Sequence, residues 1–262
     1  MSNSRLPTYV RLSPNVTKPR QGTIKGVAIH CTAGGKDLPA SNFADLPRFV
    51  IPDKKLGASC HYVVGGDGSI AQVCGEENRA WCTSNKIDHQ LVTIEVASDH
   101  VAPYLVNAAA IEALVKLLAD ICQRNGIPKL LWKGDKSLMG QWDKQNMVVH
   151  RWTSGKACPG DFLYNLHPRI ASAVNELLEK EDREEMADVE INELLDEMSD
   201  AQAYALLEKA MRYADTMLEP VWSRTDGHWA KATEKGIING EGPERPMKRD
   251  EVVTILGRLN LL

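Results

Sequence analysis

Two histidines and a cysteine stand out by type and position. His30 closes the run Gly-Val-Ala-Ile-His at 26–30, and His150 closes Asn-Met-Val-Val-His at 146–150. Both runs are short, apolar and β-branched, which is strand composition. Cys158 follows eight residues after His150, in a loop with Pro159 and Gly160 that can fold back towards it. Two strand ends and a loop can converge on one tetrahedral ion, and imidazole with thiolate is a donor set that suits zinc. Three protein donors leave a fourth position open, and zinc with an open position polarises a carbonyl and lowers the pKa of water to about 7. Taken singly, a histidine more often serves the core or the surface than a metal. The combination is what points to a site. Cys60, Cys82 and His61 stand by as further donors, and a fourth protein ligand from among them would make the ion structural instead.

The elements that must carry these residues read as α/β. Residues 60–64 and 69–73 are apolar runs flanking Gly65-Gly66-Asp67-Gly68, a hairpin signature. Residues 91–97 form another strand, with Val92, Ile94 and Val96 on one face and Thr93, Glu95 and Ala97 on the other. Helical spacing runs over 107–125, where Asn107 can cap the start and Ile111, Leu114, Val115, Leu118 and Cys122 form a stripe. Asn125-Gly126 and Pro128 end it. A second helix is expected over 161–180, after the Cys158-Pro159-Gly160 turn. The fold class expected is a central mixed β-sheet flanked by helices over about residues 1–180. An acidic linker at 181–187 and a small, mainly helical domain at 188–262 follow.

Several of these segments also resemble a known family. Val27-Ala28-Ile29-His30-Cys31-Thr32-Ala33 is similar to the first metal motif of the type 2 N-acetylmuramoyl-L-alanine amidases, which include phage lysins and the peptidoglycan recognition proteins. His61-Tyr62-Val63-Val64 with Asp67-Gly68 resembles that family's hairpin, and Ile94-Glu95 its central strand. His150 through Lys156-Ala157-Cys158-Pro159-Gly160 resembles its second metal motif. The resemblance implies Zn2+ bound by His30, His150 and Cys158, with Glu95 as the acid/base and Lys156 as the cation facing the oxyanion. It implies hydrolysis of the amide between N-acetylmuramic acid and L-alanine in peptidoglycan. Chemistry agrees with these roles. Glu95 is the only acid in its strand, where burial would raise its pKa, and Lys156 places a charge two residues from the thiolate. Cys60 stands where some members have a tyrosine near the metal, and Trp81-Cys82 where Trp-His is frequent. These departures leave Glu95 as the proton carrier.

The C-terminal part has its own pattern. Ser199-Asp200-Ala201-Gln202 matches a capping box ahead of a helical run that ends at Pro220. His228-Trp229-Ala230, Glu234 to Gly240 and Arg249-Asp250-Glu251 resemble one S-layer homology motif, which implies contact with wall polysaccharide through Trp229 and Arg249. One such copy buries little area, so homo-oligomerisation is expected to support it. Arg183-Glu184-Glu185 ahead of Met186 suggests an internally started fragment that assembles with the full chain.

Composition narrows the partners. The 262 residues carry a net charge of −4, split between +5 over 1–180 and −9 over 181–262, with ten acids and one arginine in 181–200 alone. A mildly basic first part suits an anionic wall, and no dense basic patch with interleaved aromatics suggests nucleic acid. No apolar run approaches the roughly 20 residues that span a bilayer, and the N-terminus lacks a signal-peptide core. The expectation is synthesis in the cytoplasm and action on the wall after release, as a phage or prophage endolysin. A host autolysin is the near alternative. A peptidoglycan receptor without catalysis is the more distant one, and Cys158 speaks against it because such receptors typically lose the cysteine ligand.

Overall fold

In a computed structural model of the chain, residues 3–197 are described. The chain divides between Glu184 and Glu185, and the first unit, Met1–Glu184, carries the features below. Its strands are β1 (Tyr9–Val10), β2 (Val16–Thr17), β3 (Gly26–Cys31), β4 (Tyr62–Val64), β5 (Ile70–Gln72), β6 (Arg79–Ala80), β7 (Leu91–Val96) and β8 (Met147–Val148). Its helices are α1 (Ala40–Ala44), α2 (Pro47–Val50), α3 (Ala108–Arg124), α4 (His150–Thr153) and α5 (Gly160–Glu197). Six strands form a mixed sheet in the order β1-β5-β4-β7-β3-β8, and β2 pairs with β6 apart from it. Only β4 and β5, joined by the expected hairpin, run antiparallel within the six.

Both faces of the sheet are covered, so its central strands β3 and β7 are mostly apolar, with His30, Thr93 and Glu95 as the exceptions. All six residues of β3 are buried. Val27, Ile29, Val92, Ile94 and Val96 pack on one side against Leu114, Leu117, Leu118 and Ile121 of α3 and Leu163, Ile170 and Val174 of α5. Cys60, Val63, Ala71 and Ala97 face the other side, against Phe43 of α1 and Phe49 of α2. Gly26 lets β8 approach, because a Cβ there would collide with the Asn146 carbonyl that Val27 N–H bonds at 3.0 Å.

Some local expectations need correcting. Asn107 does not cap α3 with its side chain; its amide donates to the Asp37 carboxylate at 2.9 Å and the Lys36 carbonyl at 3.1 Å. That choice ties the helix start to the loop after β3. The end of α3 follows expectation: Ile127 N–H bonds Cys122 O and Gly126 N–H bonds Gln123 O, with Gly126 at φ 63°. The helix expected over 161–180 runs on to Glu197 through the acidic stretch 181–187. No Gly or Pro interrupts 169–197, and Leu, Glu, Ala and Met there favour helix. Trp229, Arg249 and the elements read beyond Ser199 lie outside the described residues.

One buried charge pair joins α3 to the sheet. Glu76 is fully buried and accepts from Tyr62 Oη at 2.6 Å, Arg124 Nη2 at 2.8 Å and Asn125 Nδ2 at 3.0 Å. Removing one partner of a buried pair strands the other. Arg124→Ala should therefore lower the unfolding free energy by about 3–5 kcal/mol in urea titration. A loss below about 1 kcal/mol would mean that Glu76 is satisfied without it.

Candidate metal centre

The parallel pairing of β3 with β7 sets His30 directly opposite Glu95. On β3 the next residues, Ile29 and Cys31, point into the α3 and α5 core, so His30 faces the opposite side together with Glu95. His150 is not at the end of its strand as expected. β8 stops at Val148 and His150 opens the short helix α4. Trp152 of α4 stacks on Trp132 with ring centroids 5.1 Å apart, and Tyr164 meets both edge-on, which holds α4 against α5.

The loop bearing Cys158 is tied back to this helix. Arg151 N–H donates to Cys158 O at 2.9 Å, and the Arg151 guanidinium reaches Ala157 O at 2.9 Å and Asp161 at 3.0 Å. Thr153 Oγ1 bridges to Thr83 O at 2.8 Å, fastening the Trp81–Cys82 loop to the same helix. Lys156 lies exposed in the loop between His150 and Cys158.

His30, His150 and Cys158 thereby converge, with their donor atoms all within 4.8 Å of one another. Cys158 Sγ is 3.4 Å from His30 Nδ1, and the two imidazole centroids are 5.1 Å apart. Tetrahedral zinc with Zn–N near 2.0 Å and Zn–S near 2.3 Å places N and S about 3.6 Å apart, so this spacing fits. Buried polar atoms are nearly always satisfied. Yet Nε2 of His30, Nε2 of His150 and Oε2 of Glu95 are buried with no partner. The donors fit zinc in number, type and spacing. No further His, Cys, Asp or Glu among the described residues joins this trio at that spacing.

Electrostatics favour the same use. Burial, and then the neighbouring His150, hold His30 down at about 3, so its ring is neutral and free to bind. Burial and the Lys156 charge lower His150 as well. Burial pushes the Glu95 carboxyl up to about 7, with Arg48 opposing it. Cys158 is held above the usual thiol range by the Cys31 thiol, burial and Glu95, and a bound metal would deprotonate it outright.

The comparisons can now be set beside this geometry. The N-acetylmuramoyl-L-alanine amidase family matches residues 20–161, more than half of the sequence and the whole of the donor set. The chain belongs to that family. Among solved structures, a mutant endolysin from Bacillus subtilis is similar at 18% identity and a TM-score of 0.45, covering 66% of this chain and 99% of its own. Drosophila peptidoglycan recognition protein SA is similar at 20% identity and a TM-score of 0.43, covering 61% and 89%. The Ph2119 endolysin of a Thermus scotoductus bacteriophage stands at 18% and 0.39, covering 60% and 89%. No curated protein matches the sequence.

The remaining expected donors divide in this amidase. His61 is buried away from the trio: Thr93 N–H donates to its Nδ1 at 2.9 Å, and its Nε2 lies 3.1 Å from Asn78 O. Cys60 packs into the core beside Val63 and Phe49 and joins no donor group among the described residues. Cys82 does join one, with His30 and Glu95. Sequence reasoning passed over Asp88 and Thr153, which hold the Trp81–Cys82 loop. Thr153 acts on a backbone carbonyl 70 residues away, and Asp88 on backbone N–H groups five and six residues away in a stretch with no periodic pattern.

The raised Glu95 pKa has a consequence for the metal-free protein. An unfolded glutamate releases its proton near 4.5, whereas the folded one keeps it to about 7. Stability is therefore lost as pH rises from 4.5 through 7, by at most about 3 kcal/mol. The gap between Glu95→Gln and the parent in thermal unfolding of metal-stripped protein should widen steadily over that window. A gap that stays constant with pH would show that Glu95 is not protonated in the fold.

Proposed function

We propose that the chain is a zinc-dependent amidase that hydrolyses the bond between N-acetylmuramic acid and the L-alanine of the peptidoglycan stem. What carries this reading is the convergence of two histidines and a cysteine beside a glutamate whose carboxyl desolvation pushes up to about 7, in a chain of the amidase family. Zinc held by His30, His150 and Cys158 would supply the Lewis acid that polarises the scissile carbonyl and acidifies water. Glu95 takes a proton from the attacking water and returns it to the leaving amine nitrogen; a carboxyl poised near neutrality suits both transfers. Lys156, whose charge already reaches His150, faces the oxygen on which negative charge develops. We read the protein as a lysin of phage type, with Trp229 and Arg249 contacting wall polysaccharide.

The test is turbidity loss on purified cell walls, with the freed amino groups mapped to L-alanine. Chelation should abolish activity and zinc should restore it. Metal analysis should give one zinc per chain, lost in Cys158→Ala or His150→Ala. Glu95→Gln should retain the zinc while the rate falls by about 10²–10⁴, and Lys156→Ala should lose about 10²–10³. Full activity in a metal-free preparation would end the zinc reading. Retention on walls without release of amines would favour the receptor instead.

A further inference from the structure

His30 belongs to two donor groups at once. Beside the trio with His150 and Cys158, it forms a second with Cys82 and Glu95, again with donor atoms all within 4.8 Å. His30 is the one residue common to both among the described residues, so Cys82 is not a fourth ligand closing the first position. Its thiol groups instead with His30 and the Glu95 carboxylate.

This second group is built rather than incidental. The buried Asp88 carboxylate receives Cys82 N–H at 3.2 Å and Thr83 N–H at 3.0 Å. Trp81 is held by backbone and side chain: its backbone N–H donates to Ser59 Oγ at 2.9 Å and its indole N–H to Thr17 Oγ1 at 2.9 Å. The Thr153–Thr83 bond fixes the same loop to the helix carrying His150. Two of the three members present buried atoms with no partner, Nε2 of the fully buried His30 and Oε2 of Glu95. An unsatisfied imidazole and an unsatisfied carboxylate beside a thiol invite a cation.

We propose that Cys82 and Glu95, with His30 between the two positions, hold a second soft divalent cation that inhibits the enzyme. The inference rests on the zinc amidase reading above. Thiolate and imidazole with one carboxylate select zinc or cadmium and reject magnesium or calcium, which prefer all-oxygen shells. On binding, Cys82 loses its thiol proton and His30 its remaining ring proton to solvent, so that the thiolate and the second imidazole nitrogen bond the second metal while the first nitrogen keeps the first ion. Glu95, once bound, is no longer available to take or return a proton, so the reaction stops although the first ion remains. The thiol is the residue that creates this behaviour, because a histidine carboxylate pair alone lacks a second anionic donor.

The experiment uses the full-length protein, stripped of metal and titrated with Zn2+ under amidase assay, with bound zinc counted by mass spectrometry. The first equivalent should restore activity, and the second should bind and depress the rate by about a hundredfold or more. Co2+ should give thiolate-to-cobalt absorption that grows at both equivalents, and excess Mg2+ should do nothing. Cys82→Ser should keep the first equivalent and its activity but lose the second equivalent, its absorption and the inhibition. Cys82→Ala serves in the same way if the serine variant misfolds. A parent protein that stops at one equivalent in excess zinc overturns the proposal, as does a Cys82 variant that still takes two. A protein that binds no first equivalent, or binds it without gaining activity, fails the amidase reading instead.

Discussion

The register between β3 and β7 is the constraint on which the rest of the site depends. Because side chains alternate on a strand, a slip of one residue would put Ile29 or Cys31 opposite Glu95 and bury His30 among leucines. The slip is blocked from both sides of the sheet. Val27, Ile29, Val92, Ile94 and Val96 must meet α3 and α5, and a one-residue slip would turn one strand's share of them away from that face. The hydrophobic core and the catalytic geometry are thus the same fact. β8 is the second constraint, since Gly26 lets the Asn146 carbonyl close on β3 and brings the chain that continues into His150 alongside.

Around that register the protein accumulates groups that are unfavourable alone. His30 is kept neutral in a fully buried place, Glu95 is kept protonated to about 7, and the Cys82 and Cys158 thiols are held above their usual range, Cys82 by burial first and Cys158 by Cys31 and burial. For His30 and Glu95 part of this desolvation is offset by no hydrogen bond, visible as the unpartnered Nε2 and Oε2 atoms. A divalent cation reverses the balance for all of them at once, because it stabilises thiolate and carboxylate and accepts neutral imidazole. The apo site is strained electrostatically rather than sterically. That is the arrangement expected where affinity for an ion is supplied by the fold and not by flexible surface side chains.

Much of this was legible in the sequence, for identifiable reasons. β3, β7, the 65–68 hairpin and α3 are long or strongly patterned, and the Gly126 helix end is written in two residues. The convergence of donors was legible because two histidines that close apolar runs and a cysteine in the following loop are chemically distinctive. The two-residue strands β1, β2 and β6 carry no periodicity to read, and their pairing is decided by tertiary packing. His150 was misplaced by one element because an apolar run ending in histidine looks the same whether the strand or a following helical turn owns the last residue. Asn107 was read as a cap from its type, while the structure uses its amide across 70 residues to hold Asp37. The placing of Cys82 beside His30 and Glu95 was the least legible. A thiol in a half-buried loop reads as packing until Asp88, five to six residues onward, is seen to aim its backbone.

The two donor groups are also mechanically one unit. Helix α4 carries His150, grips the Cys158 loop through Arg151, and grips the Cys82 loop through Thr153. It is only four residues long and cannot hold its own position by helical hydrogen bonding. Its anchor is the stack of Trp152 on Trp132, closed edge-on by Tyr164 of α5. A loss of that stack would therefore loosen Cys158 and Cys82 together while leaving His30 and Glu95 in register on the sheet. The members on the sheet, His30 and Glu95, are fixed by strand pairing, and His150, Cys158 and Cys82 by way of the aromatic contact. The sheet half is rigid through the global fold, and the helix half is held by local packing, which is where any adjustment to an arriving ion or substrate must occur.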